Sequence, residues 1–136
     1  MRNEIRARIA GYRVILMDSI SLIEASDAGA IIITGSHGGA ISAAFAARHP
    51  PCLVIFNDAG GGKAGAGTAA LSLLDARGIA SAATSHMSAR IGDAEDAWTN
   101  GVISAAGTVA QAAGLRVGRS VRQSAEVITR EEPRGH

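Results

Sequence analysis

Four apolar runs punctuate the chain, and short polar, glycine-rich segments follow three of them. Tyr12–Met17 is apolar apart from Arg13 and is bounded by Gly11 and by Asp18-Ser19. Residues 30–34 carry three successive isoleucines, residues 52–56 read Cys-Leu-Val-Ile-Phe, and residues 79–84 form a fourth run diluted by alanine and serine. No polar alternation breaks the isoleucines. Such a run predicts a strand buried on both faces, as in a parallel sheet.

Helical patterns fall between the runs. Residues 21–28 have the composition for two helical turns. Ala40–Arg48 is alanine-rich and ends at His49-Pro50-Pro51, where His49 reads as a helix cap. Residues 68–77 place Leu71, Leu73 and Leu74 in a helix that stops at Gly78, a C′ glycine. Asp93 reads as the N-cap of one long helix, in which Ala97, Trp98, Val102, Ile103, Ala106, Val109, Ala110 and Ala113 recur at helical spacing up to Gly114. Beyond Gly118, Val121 and residues 125–128 read as a last edge strand or an arm, and residues 131–136 as a polar tail. At the other end, Arg2, Arg6, Arg8 and Arg13 alternate with Glu4 and read as a solvated segment.

Strands alternating with helices predict a single-domain, three-layer α/β fold over residues 1–130. Its sheet is mostly parallel, of about four to five strands, with helices on both faces. The glycine-rich segments then share the C-terminal rim of the sheet, where open α/β folds bind ligands.

Composition narrows the partners. The net charge of +1 gives no electrostatic case for nucleic acid or for an anionic membrane surface. No apolar stretch approaches membrane-spanning length, and no signal-peptide pattern opens the chain. One cysteine, Cys52, excludes an intrachain disulfide and fits a cytoplasmic protein. The alanine-rich helical faces predict a homo-oligomer and leave room for a heteromeric partner.

The candidate chemistry sits in the three rim segments. After the second run come Ser36, His37, Gly38 and Gly39: a proton-handling histidine with a serine and two glycine N–H groups beside it. After the third come Asp58, Gly60, Gly61, Gly62 and Lys63. Successive glycine N–H groups can converge on an anion, and Lys63 adds a full charge. Lys63 is the only lysine among thirteen cationic Lys and Arg residues, and lysine alone of the two can become a neutral amine when desolvated. Asp58 reads either as a carboxylate that orients a histidine or as an Asx turn. After the fourth run come Ser85, His86, Ser88 and Arg90, with Arg90 reading either as an anion clamp or as the ion-pair partner of an acidic neighbour.

Several motifs are excluded. A Walker A loop would need glycine where Asn57 stands and a hydroxyl where Ala64 stands, the glycine spacing does not fit a dinucleotide fingerprint, and no G-x-S-x-G elbow exists. A two-histidine, one-carboxylate metal site from His37, His86 and Asp58 lacks paired ligand spacing, so no metal or cofactor is expected.

The expectation is a small-molecule enzyme. The first reading is a hydrolase acting on an amide- or ester-type bond of a small polar or anionic substrate. His37, His86, Asp58, Lys63, Ser36 and Ser85 would be its catalytic candidates, and Gly38, Gly39, Gly60, Gly61, Gly62, Ser88 and Arg90 its substrate-binding candidates. A lyase or isomerase using Lys63 as an amine base or Schiff-base former is the second reading. A non-catalytic binding or assembly subunit is the third. For the first reading, Lys63→Ala is expected to lower turnover by about a hundredfold or more; near-normal steady-state turnover in that variant removes Lys63 from the chemistry.

Overall fold

The computed structural model describes residues 2–61 and 68–130. Six strands form one sheet in the order of the sequence: β1 (Arg2–Ile9), β2 (Tyr12–Met17), β3 (Ile31–His37), β4 (Leu53–Asn57), β5 (Ala80–Thr84) and β6 (Ile103–Ala106). The four middle strands are parallel, and β1 and β6 are antiparallel additions at the two edges. The protein is thus a single-domain α/β fold with a mostly parallel sheet. Its helices are α1 (Ala40–Arg48), α2 (Ala69–Asp75), α3 (Ala94–Asn100), α4 (Thr108–Ala112) and α5 (Val121–Arg130).

Both faces of the sheet are covered, as the uninterrupted apolar runs require. Ile15, Met17, Ile32, Val54 and Phe56 face α1, α2 and the turn at Ile20–Leu22. Val14, Leu16, Ile31, Ile33, Leu53 and Ile55 face α3 and α5, through Ala94, Ala97, Val121, Ala125 and Ile128. Every one of these side chains is nearly or fully buried.

Three sequence expectations are corrected, and the N-terminal segment, for which no strand was expected, forms β1, joined to β2 through Ala10 (φ 51°) and Gly11 (φ 87°). Two successive left-handed residues make the tight turn whose twist suits a hairpin. Residues 21–28 hold two 3₁₀ turns, Ile20–Leu22 and Ala25–Asp27, in place of an α-helix. The long helix expected over 93–114 is broken into α3, β6 and α4 at Gly101 and Gly107, whose ψ angles of 138° and 166° are extended. A Cβ at Gly101 would lie 2.4 Å from the Ala97 carbonyl oxygen, so the chain needs glycine there. The expected last strand is α5, started by a reciprocal cap: Gln123 N–H donates to Ser120 Oγ (3.1 Å) and Ser120 N–H to Gln123 Oε1 (3.0 Å). The tail expected over 131–136 lies outside the described residues.

The sequential strand order has a consequence for the rim. Successive right-handed crossovers keep their connections on one face, and the 3₁₀ turns, α1 and α2 obey this. After β5 the chain changes face, because α3 packs on the other side. Residues 85–93 therefore run across the C-terminal ends of the neighbouring strands. Asn57 Nδ2 donates to Ala89 O (3.0 Å), Gly92 N–H to Gly35 O (2.7 Å), and Ala94 N–H to Asp18 Oδ1 (3.0 Å). The change of face at the rim thus comes after β5, without any reversal of strand order.

The crossing segment lies directly on β3. A Cβ at Gly35 would stand 2.3 Å from the Asp93 nitrogen and 2.5 Å from the Gly92 carbonyl carbon. Because both neighbours are backbone, neither can rotate away. Gly35→Ala is expected to lower the unfolding free energy by about 1–3 kcal/mol and to move the melting temperature down by several degrees in a thermal denaturation scan. An unchanged melting temperature would contradict this packing.

Candidate functional site

At the C-terminal end of β4, Asp58 N–H donates to Thr84 O (2.8 Å), which ties the start of the following turn to β5. Ala59 (φ 53°) and Gly60 (φ 77°) then turn sharply. Ala59 N–H donates to Asn57 Oδ1 and Gly60 N–H to Asp58 Oδ1, both at 2.8 Å. The carboxylate of Asp58 is thereby aimed at the first residues after β5.

There it meets His86. Asp58 Oδ1 accepts from the His86 N–H (3.0 Å) and lies 3.2 Å from His86 Nδ1. Asp58 Oδ2 accepts from Ser104 Oγ at 2.6 Å. The ideal Cβ position of Gly60 is 3.7–3.8 Å from the ring atoms of His86, so this glycine packs beside the imidazole. The carboxylate is 15% exposed and the imidazole 45%. Asp58 therefore closes an Asx turn and holds a histidine ring at the same time.

The geometry defines the proton positions by chemistry. An ionised carboxylate only accepts, so it takes Nδ1–H and leaves the Nε2 lone pair of the neutral ring directed away from it. Burial by itself would raise the Asp58 carboxyl. The hydrogen bonds from Ser104, Gly60 and His86 outweigh it and hold the group below its usual value.

Ser104 was absent from the sequence candidates. It stands in β6, inside the stretch read as a helix, where strand alternation brings its hydroxyl to Asp58. The Val102-Ile103 pair after Gly101 was the available β signal.

The other candidates are distributed as follows. His37 is the exposed last residue of β3, and Ser36 and His37 line a separate cavity of about 600 Å³ between the Ile20–Leu22 turn and α1. Ser36 Oγ accepts from Ile20 N–H (2.9 Å). Among the described residues no hydrogen bond joins the His37 ring to Asp58 or His86. The N–H groups of Gly38 and Gly39 are engaged by backbone carbonyls, of Asn57 (3.3 Å) and His37 (3.0 Å).

Ser85 Oγ accepts from Met87 N–H (3.1 Å). Ser88 Oγ donates to Ser85 O (2.8 Å) and accepts from Val102 N–H (2.9 Å), which fastens the crossing segment to the start of β6. Arg90 sits at the foot of α3. Its N–H donates to Asp96 Oδ2 (2.9 Å), and after the Asn100 side-chain bond this contact and the guanidinium charge help hold the Asp96 carboxyl low. Asp93 caps α3, accepting from Asp96 N–H at 3.0 Å. Gly61 ends the short turn Ala59–Gly61, and Gly62 and Lys63 lie outside the described residues.

Among the described residues no group of three His, Cys, Asp or Glu side chains is placed to hold a metal ion. No described helix is long and apolar enough to cross a membrane. Compared with protein families, curated proteins and solved structures, the chain matches none.

The lowered Asp58 carboxyl links the site to acid stability. Its hydrogen bonds favour the ionised form, so their contribution is complete above the unfolded carboxyl value of about 3.9. It is lost as pH falls through the lower folded value. The gap in unfolding free energy between the wild type and Asp58→Asn is expected to be constant from about pH 7 to 5 and to close below about pH 4, as measured by urea titrations across that range. A gap independent of pH would show that the carboxylate is not preferentially stabilised in the folded state.

Proposed function

We propose that the protein is a hydrolase that cleaves an amide- or ester-type bond of a small polar substrate at the C-terminal rim of the sheet, with His86 as the general base. The observation that carries this reading is the Asp58–His86 pair. It joins a hydrogen-bonded carboxylate on Nδ1 to a half-exposed ring whose Nε2 is available. A base so oriented contributes about 10²–10⁴ to rate.

The nucleophile in this reading is water. The serine beside the pair, Ser104, bonds the carboxylate on the far side from the imidazole. The hydroxyl of Ser85 accepts from Met87 N–H within its turn, and that of Ser88 is held between Ser85 O and Val102 N–H. His86 Nε2 takes a proton from water as the water oxygen bonds the substrate carbonyl carbon. The resulting imidazolium returns that proton to the departing nitrogen or oxygen as its bond to carbon breaks. Asp58 stabilises the transient imidazolium through Nδ1–H. His37, at the end of β3, and Lys63, in the glycine-rich segment, remain candidates for steadying the developing oxyanion.

The reading includes a cytoplasmic setting and self-association. The single cysteine supports the first. Exposed Leu73, on the alanine-lined outer groove between α1 and α2, supports the second.

A panel of small amides and esters tests the chemistry. On the best substrate, His86→Ala is expected to lower kcat by about 10²–10⁴ and to abolish the limb of the pH–rate profile on which activity rises with deprotonation. Asp58→Asn is expected to lower kcat with little change in KM. Wild-type turnover in His86→Ala would sink the proposal.

A further inference from the structure

We infer that the cavity beside His37 is a subsite for an uncharged apolar group of the substrate, an aryl or branched alkyl group attached to the bond that is cleaved. The inference rests on the hydrolytic reading of the Asp58–His86 pair and adds a substrate class to it. At about 600 Å³ the cavity has the size of a small-molecule site. Its walls come from three elements: the Ile20–Leu22 turn, the end of β3 and the first turns of α1, with Ala69 of α2 at its edge.

The lining chemistry selects against charge. Ile20, Ile41, Phe45 and Ala69 provide apolar surface, and no Lys, Arg, Asp or Glu side chain lines the cavity among the described residues. A carboxylate seated there would lose part of its hydration, and among the described residues no Lys or Arg side chain of the lining replaces it. The start of α1 supplies only a partial charge, so a neutral group is favoured over an anion. Ile41 is 76% exposed on the first turn of α1, and a bound aryl or alkyl group would cover it.

The polar groups of the cavity match a neutral acceptor. Ser36 Oγ accepts from Ile20 N–H, and no described hydrogen bond uses its own proton. Ser19 and Ser21 hydroxyls share a single bond of 2.8 Å, in which only one of them donates. Hydroxyl protons are thus available to a carbonyl oxygen without any full charge.

The cavity and the pair lie at neighbouring strand ends of the same rim. His37 is the register partner of Asn57, the residue before Asp58, and Asn57 is the partner of Thr84, two residues before His86. Two interstrand steps amount to about 10 Å. A substrate that joins the two places its apolar end beside α1 and its carbonyl toward His86, with the His86 and His37 side chains shortening the span left to it.

Two measurements test the inference, and the first does not depend on catalysis. In ¹H–¹⁵N NMR titrations with benzamide and with sodium benzoate, benzamide is expected to shift the amides of Ile20, Ile41 and Phe45 saturably. It should bind at least tenfold tighter than benzoate. Ala69→Leu, which fills the cavity, and Ile41→Asp, which changes an already exposed residue, should each weaken benzamide at least tenfold. Tighter binding of benzoate, or benzamide shifts clustered elsewhere or absent, overturns the inference.

The second measurement is selectivity. The ratio of kcat/KM for phenylacetamide over acetamide should fall at least tenfold in both variants, and an unchanged ratio overturns the inference. Failure of the hydrolytic reading looks different: benzamide still binds at these residues while His86→Ala leaves turnover as in the wild type.

Discussion

After β5 the chain leaves the face occupied by α1 and α2 and crosses to the face of α3 and α5, and in doing so it lies on the backbone of β3. Gly35 is where that contact is closest, with the Gly92–Asp93 backbone inside the space any Cβ would need. The arrangement of the rim depends on this one approach. It lets Gly92 N–H reach Gly35 O, brings Ala89 O over the buried amide of Asn57, and starts α3 against Asp18. It also fixes where the segment begins, and so where His86 stands relative to Asp58. The crossing segment closes one side of the rim and leaves open the side toward α1, where the cavity lies.

The hydrogen bonds of Asp58 divide its two oxygens. Oδ1 takes three donors, from Gly60 and from the backbone and ring of His86, whereas Oδ2 takes one from Ser104. The carboxylate is held by the turn after β4, the turn after β5 and β6 itself, so the orientation of His86 rests on three elements and not on one loop. Such support from neighbouring groups fixes the ring's tautomer and direction.

Much of this was legible in the chain. The isoleucine run 31–33 and the apolar stretch 53–56 named the central strands because strands covered on both faces have no reason to alternate. Their glycine-rich ends named the rim, and Asp58 and His86 were both among the candidates. Residues 93–114 misled because alanine-rich segments satisfy a helical period without requiring it; Gly101 and Gly107 were the decisive positions. That error hid Ser104, which belongs to the site only if its segment is a strand. The start of α5 was written in Ser120-Val121-Arg122-Gln123, a capping pattern. The juxtaposition of Ser36 and His37 with Ile20 and Phe45 was not legible, because it depends on where α1 lands on the sheet.

Ser104 reaches Asp58 from β6, an edge strand of four residues whose start is held on its outer side by Ile103 N–H to Arg119 O and Gly118 N–H to Ile103 O, both at 2.8 Å. Short edge strands open more readily than the middle of a sheet. When β6 frays from its far end, Oδ2 loses the one donor it has among the described residues while the three bonds to Oδ1 remain, so the charge of the carboxylate is left to the turn and to the imidazole. An edge strand therefore takes part in setting how strongly the imidazole is polarised, and the breathing of an edge becomes a property of the site.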